Sequence, residues 1–314
     1  MNTYNSISEF PTKKTVVTIG TFDGVHKGHR KILEKIKLSA QELNCESVVL
    51  TFFPHPRMVL QNDNPIKLLN TIEEKRTLLE GIGIDNLIIH PFNIEFSLFS
   101  AEEYVKKILV DQLQIQKIII GYDHRFGVNR SADIKDLIIF GNKYGFEVEQ
   151  ISAQEIDEIA VSSTKIRNAL LEGDCKIANQ YLGYSYSFSG EVVKGKKLGR
   201  TIGFPTANIQ IAEDFKLIPK KGVYIVKSQI IKKTYFGMMN IGTRPTLDGE
   251  NQTIEVHYLN LDTDLYDQKI TVEILDFIRE EQKFESIVAL KNQLQKDKQF
   301  CNDYINNSKF NIVE

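Results

Sequence analysis

From Thr15 to about Gly183 the chain alternates short apolar runs with segments of helical periodicity. The runs TVVTIG (15–20), SVVLTF (47–52), NLIIHPF (86–92), KIIIGYD (117–123) and FEVEQI (146–151) are β-branched and apolar nearly throughout. That composition suits strands buried on both faces of a parallel sheet. Between them HRKILEKIKLSAQEL (29–43), TIEEKRTLLEGIG (71–83) and SAEEYVKKILVDQL (100–113) are amphipathic. Strand and helix in alternation predict right-handed crossovers and an open, doubly wound α/β domain, with ligands beyond the carboxyl ends of the strands. After YLGYSYSFSG (181–190) the rhythm changes. Segments near 187–194, 222–231, 234–242, 253–260 and 269–277 alternate apolar and polar residues between Gly, Pro, Asn and Asp turns, and FESIVALKNQLQKDKQF (284–300) is helical. This predicts an antiparallel sandwich or small β-barrel with a C-terminal helix. The expected domains are 1–184 and 185–314, a division that 314 residues comfortably accommodate.

Composition narrows the function classes. The chain is 42% hydrophobic and 25% charged with a net charge of −2, which argues against a protein that coats nucleic acid. A few placed cations and backbone amides could still hold a small anion. Cys45, Cys175 and Cys301 are far apart and lack CxxC spacing, so neither a disulfide framework nor a zinc site is expected and a reducing compartment fits. The polar start MNTYNSISEFPTKK shows no signal peptide, and no window approaches the ~18 apolar residues of a membrane span. The expectation is a cytoplasmic protein with small-molecule partners and no membrane partner.

The densest chemistry lies in GTFDGVHKGH (20–29), where a buried strand turns into a helix. Glycines there let backbone approach a phosphate, and a helix start offers unpaired N–H groups and partial positive charge. His26 and His29, spaced i, i+3, could donate to phosphoryl oxygens; each could equally be an ordinary hydrogen-bonded turn residue. In VSSTKIR (161–167) hydroxyls at Ser162, Ser163 and Thr164 can cap a helix with Lys165 and Arg167 in its first turn, either as an anion site or as a plain cap. GYDHRFG (121–127) ends a buried strand with Asp123, His124, Arg125 and Phe126 together, which suits a ligand, a salt-bridged Asp123–Arg125 turn or a core phenylalanine.

GTFDGVHKGH resembles the HxGH signature of the nucleotidylyltransferase superfamily, in the form found in bacterial bifunctional riboflavin kinase/FAD synthetases. TFFPHP (51–56), GYDHRFG and VSSTKIR match that family in order. The resemblance implies a Rossmann-like domain in which ATP meets Gly20, Thr21, Phe22, Asp23, Gly24, Ser162, Ser163 and Thr164. His26, His29 and Arg167 would stabilise adenylyl transfer, and Phe53, Pro54, Asp123 and Phe126 would contact FMN.

A second site is expected in GEVVKGKKLGRTIGFPTANI (190–209), a glycine-rich basic loop that could wrap phosphates or be a solvated hairpin. Thr206 and Asn208, two apart on an extended segment, point the same way and offer hard oxygens suited to Mg²⁺. The run resembles the riboflavin kinase signature ending in PTAN, and NIGTRPT (240–246), IEVHYLN (254–260) and FIREEQKF (277–284) match that module in order. The resemblance implies that Gly195 and Lys196 meet ATP, Thr206 and Asn208 hold Mg·ATP, Glu255 is general base toward the ribityl hydroxyl, and Arg279 contacts flavin or nucleotide. It implies a bifunctional enzyme making FMN from riboflavin and FAD from FMN. The alternatives are a nucleotidylyltransferase for another phosphorylated acceptor with a regulatory barrel, and a non-enzymatic flavin- or nucleic-acid-binding barrel.

Overall fold

The structure, a computed structural model, describes the chain apart from residues 62–65, 153–160, 196–197, 247–248 and 308–314, and describes no side chains over 244–251. Two compact units divide between Ser163 and Thr164.

The first unit contains strands β1 (Asn2–Tyr4), β2 (Thr15–Ile19), β3 (Glu46–Phe52), β4 (Asn86–His90), β5 (Ile115–Gly121) and β6 (Glu147–Ile151). Its helices are α1 (Lys27–Glu42), α2 (Pro56–Leu60), α3 (Ile72–Ile82), α4 (Ile94–Ser97), α5 (Ala101–Tyr104), which continues as π-helical turns over Val105–Gln112, and α6 (Ile134–Tyr144). The six strands form one parallel sheet in the order β1-β4-β3-β2-β5-β6. Successive strand residues feed two different cores. Val16, Val49, Leu87 and Ile119 pack with Leu33, Ile36 and Leu79 from α1 and α3. Their neighbours Val17, Val48, Leu50, Ile88, Ile118 and Ile120 pack with Tyr104, Leu109 and Leu137 on the other face. A near-continuous apolar run is what burial on both faces favours. The strand order reverses between β2 and β5, so the crevice that such sheets offer to ligands opens beyond Ile19 and Gly121. The polar N-terminus, to which the sequence pattern assigned no element, supplies edge strand β1 beside β4.

The second unit holds α7 (Ser163–Glu172, beginning one residue before the division), α8 (Cys175–Leu182), β7 (Ser187–Val193), α9 (Leu198–Thr201), β8 (Ala207–Gln210), β9 (Gly222–Ile230), β10 (Lys233–Thr246), β11 (Gly249–Tyr258), β12 (Lys269–Arg279) and α10 (Ile287–Asn307). Its strands close into an antiparallel barrel, β10-β11-β8-β7-β12-β9, with β9 back against β10. Closure leaves no free sheet edge. Cys301 and Ile305 of α10 pack against Met238, Ile225 and Phe204 on the outside of the barrel.

The sequence rhythm places the boundary at 184, whereas α7 and α8 go with the barrel. Asn179 explains why: its side chain accepts from the Tyr186 N–H at 2.7 Å and donates to the Ile274 carbonyl at 2.9 Å. Lys176 pairs with Asp276 at 3.0 Å, and the Lys220 N–H donates to the Leu170 carbonyl at 3.0 Å. These tertiary contacts leave no mark on helical periodicity.

Arg279, expected at a ligand, has a partner within the protein. Its guanidinium grips the Asp297 carboxylate of α10 through Nε at 3.0 and 3.1 Å and Nη2 at 2.7 Å, with Asp297 only 2% exposed. Gln293 donates to the same carboxylate at 2.8 Å. Removing one member of such a pair strands a buried charge. Arg279→Met should therefore destabilise the barrel by about 3–5 kcal/mol, and Arg279→Met combined with Asp297→Leu should recover most of that loss. Urea unfolding followed through hydrogen exchange of the barrel amides measures both; equal stability of the single and double variants would contradict the assignment.

Candidate active sites

Seven residues, Gly20 to His26, carry the chain from β2 into α1. The turn is backed by the Gly20 N–H, which donates to the Leu50 carbonyl at 3.1 Å. It contains three positive φ angles: Phe22 at 44°, Gly24 at 87° and Val25 at 36°. Glycine tolerates this; a buried β-branched valine does so only under constraint. Asp23, expected to meet ATP, is 2% exposed, and its carboxylate accepts from the Leu69 N–H at 2.9 and 3.2 Å and the Asn70 N–H at 3.3 Å. Its carboxylate thus holds the turn to a neighbouring segment. Its carbonyl accepts from the Ser163 hydroxyl at 2.8 Å, so one serine of VSSTKIR fastens the turn as well.

His26 is the N-cap of α1. Its Nδ1 accepts from the His29 N–H at 3.3 Å, so the neutral ring carries its proton on Nε2. The two imidazoles stack, with ring centroids 3.6 Å apart and planes 16° apart, and Phe22 lies edge-on to His29 at 5.1 Å. His29 Nδ1 is buried without a hydrogen-bond partner among the described residues. Burial lowers His26 to about 4, against the pull of Asp23 and Asp123 in the other direction. His29 is held well below its ordinary value by burial first, then by His26 and Lys75. Both rings are therefore neutral hydrogen-bond donors at neutral pH, beside the unpaired amides of a helix N-terminus.

TFFPHP and GYDHRFG lie at the carboxyl ends of β3 and β5 in this same unit. Asp123 is exposed two residues beyond β5 and close enough to act on His26. Arg125 pairs with Asp133 at 3.5 Å rather than with Asp123. Phe126, expected to touch flavin, is 7% exposed and packs in the core near Tyr104, ring centroids 6.1 Å apart. Phe53 is half-buried and Pro54 exposed directly after β3, and His55 caps α2 by accepting from the Arg57 N–H at 3.1 Å. Thr164 and Arg167 lie on α7, exposed and half-buried respectively.

In the barrel, register places Asn208 directly beside Glu255 and Asn240 on its other side. These three half-buried polar residues share the outer face, while Ile209, Val256 and Met239 alternate with them as buried residues. The Thr206 hydroxyl donates to Glu255 Oε2 at 3.2 Å. His257 Nδ1 donates to the Pro205 carbonyl at 2.8 Å and its ring meets Phe204 at 5.1 Å, fixing FPTAN against β11. A Cβ on Gly195 would fall 2.3 Å from Asn208 Nδ2, so glycine here leaves the Asn208 amide in place. Lys196 lies outside the described residues. Thr206, Asn208 and Glu255 offer hydroxyl, amide and carboxylate oxygens on one surface, a hard donor set that fits Mg²⁺ carried in on a nucleotide.

Two residues escaped sequence reasoning. Asn240 was quoted within NIGTRPT without a role; only the ladder brings it to Glu255. Lys75 left a signal: it stands between Ile72 and Leu79 on the apolar stripe of α3, where a charge is out of place.

A phosphate-suited turn at the switch point of a parallel sheet defines the first unit as the nucleotide-handling α/β class. Comparison with known proteins narrows this. A family model for FAD synthetase matches residues 9–165 and one for riboflavin kinase matches residues 182–305. Bifunctional riboflavin kinase/FMN adenylyltransferases are 39% identical over 93% of this chain and 94% of the relative in Buchnera aphidicola subsp. Schizaphis graminum, and 36% identical over 93% of both chains in Escherichia coli K12. A crystal structure from Streptococcus pneumoniae, described as a macrolide-efflux protein, superposes with a TM-score of 0.87 at 30% identity, covering 96% of this chain and 98% of that one. No helix among the described residues is long and apolar enough to cross a membrane. The chain belongs to the bifunctional riboflavin kinase/FMN adenylyltransferase family.

The unfolded imidazole of His26 takes a proton near 6.5 and the folded one near 4, so between these values the unfolded state binds more protons. The stability contributed here is present above 6.5 and lost as pH falls toward 4. Histidine NMR titration of the ligand-free protein should find His26 neutral down to about 4; protonation near 6.5 would contradict the geometry.

Proposed function

We propose that the barrel unit phosphorylates riboflavin to FMN and the α/β unit adenylylates FMN to FAD, both from ATP. The observation that carries this reading is the presence of both modules, in order, over nearly the whole chain. In the first step the ribityl 5′-hydroxyl oxygen forms a bond to the γ-phosphorus as the bond to ADP breaks. Glu255 orients that hydroxyl and receives its proton, and the Thr206 hydroxyl fixes the carboxylate for the task. Thr206 and Asn208 would hold Mg²⁺, which when bound neutralises phosphate charge. In the second step an FMN phosphate oxygen bonds to the α-phosphorus and pyrophosphate leaves. The attacking group is already an anion, so no base is required. His26 through its Nε2–H, with His29, Arg167 and the amides of α1, stabilises the charge that builds up.

Gly20, Thr21, Phe22, Gly24, Ser162 and Thr164 complete the ATP surface, with Asp23 and Ser163 shaping it through the backbone contacts above. Phe53, Pro54 and Asp123 face the flavin from the sheet edge, and Phe126 supports that pocket from within the core. In the barrel, Gly195 would meet ATP, the family's contact at Lys196 lying outside the described residues, and Arg279 orders the flavin side through its pairing with α10. Free thiols at Cys45, Cys175 and Cys301 suit the reducing cytoplasm, where both flavin and ATP are available.

Incubation with riboflavin, ATP and Mg²⁺, followed by chromatography, should show FMN and then FAD; no flavin product would overturn the proposal. Glu255→Ala should lose FMN formation, by roughly 100-fold or more, yet still convert supplied FMN to FAD. His29→Ala should do the reverse, with FMN accumulating from riboflavin. Loss of both activities in either variant would contradict two independent sites.

A further inference from the structure

The turn that carries the histidines is held from beneath by a lysine with no part in the chemistry above. Lys75 is 5% exposed, and its Nζ donates to the Thr21 carbonyl at 2.7 Å and to the Thr51 hydroxyl at 3.5 Å. The Thr51 hydroxyl in turn donates to the same Thr21 carbonyl at 3.3 Å. Lys75 thus occupies a position on the buried stripe of α3 that an apolar side chain would fill without desolvating a charge. What the ammonium gains there is a backbone carbonyl at the start of the strained turn.

The fastening runs both ways. Asp23, within the turn, reaches out to the backbone of Leu69 and Asn70; Lys75, on the helix that begins just after them, reaches back to the backbone of Thr21. Between these anchors lies Phe22 at φ 44°, with Val25 at φ 36° two residues beyond Asp23. Non-glycine residues stay in such conformations only where their surroundings over-determine them. The Lys75 charge also acts on His29, and together with burial it opposes protonation of that ring. Among the described residues, the ionised and titratable groups that act on the histidine pair are Asp23, Asp123 and Lys75.

We propose that Lys75 is a positioning residue for adenylyl transfer: its buried ammonium fixes the Thr21 carbonyl, and with it the turn that presents His26 and His29 to the phosphates of ATP. The proposal rests on the reading that these imidazoles face ATP. In this role Lys75 acts through the Thr21 carbonyl and the Thr51 hydroxyl, which its Nζ meets.

The test compares Lys75→Met and His29→Ala in the full-length protein, with riboflavin phosphorylation by the barrel as internal control. Lys75→Met should lower kcat for FAD formation by about 100-fold, the scale on which small misplacements of catalytic groups act, with little change in KM for FMN. Riboflavin phosphorylation should be unchanged. Histidine NMR should show His29 protonating at higher pH in Lys75→Met than in the parent, because an opposing charge has gone. Parent-level kcat in Lys75→Met, alongside inactive His29→Ala, overturns the role of Lys75 alone. Parent-level kcat in His29→Ala overturns the reading of the turn on which it rests. Should Lys75→Met fail to fold, Thr51→Val removes only the hydroxyl shared by Nζ and the carbonyl and should lower kcat roughly fivefold. An unchanged kcat in that variant likewise overturns the proposal.

Discussion

The carboxyl edge of the α/β unit is organised around one short turn held in a conformation its residues would not choose. Gly20 to His26 must leave a strand buried on both faces and enter a helix whose first amides point at the sheet's carboxyl edge. Three positive φ angles accomplish this, only one of them at glycine. The constraint is supplied by backbone-directed polar contacts: Asp23 to Leu69 and Asn70, Ser163 to Asp23, Lys75 and Thr51 to Thr21. Groups buried at this depth are stable only when paired, so the same contacts that satisfy them also define the turn.

Burial decides the charge state of the histidines. Two carboxylates, Asp23 and Asp123, pull His26 toward protonation, yet desolvation outweighs both. The rings are therefore neutral donors at neutral pH, with their positions set by stacking and by the His29 N–H to His26 Nδ1 bond. The barrel solves a comparable problem differently. Its polar groups come from antiparallel register: Asn208, Glu255 and Asn240 lie side by side because three strands are aligned, and no loop has to be strained to gather them.

Much of this was legible in the chain. TVVTI and KIIIG read as doubly buried strands because they are apolar nearly throughout, and the helices between the strands announced a parallel, doubly wound sheet, whereas the strand order is a matter of tertiary pairing. A small β-barrel was expected alongside a sandwich, and the choice between them turned on features with no alternation signal: the four residues of β8 and the register of β9 with β10. GTFDGVHKGH advertised its glycines and histidines but not the division of labour within it: Asp23, read as a ligand contact, sends its carboxylate to backbone. Phe126 and Arg279 were assigned to ligand by resemblance, and three-dimensional packing puts the ring in the core, one of the alternatives its motif offered, and the guanidinium on Asp297. Lys75 was visible as a misplaced charge on an apolar stripe, although its target, a main-chain carbonyl, has no sequence signature.

The central claim is that one chain carries two phosphate-transfer sites that cut ATP at different bonds. Following phosphorus labels tests it most directly. With riboflavin as the only flavin supplied, ATP labelled at the γ-position should deliver its label to the FMN half of the product. ATP labelled at the α-position should label the AMP half of FAD and leave FMN unlabelled. FAD lacking either label, or α-label in FMN, would contradict the account.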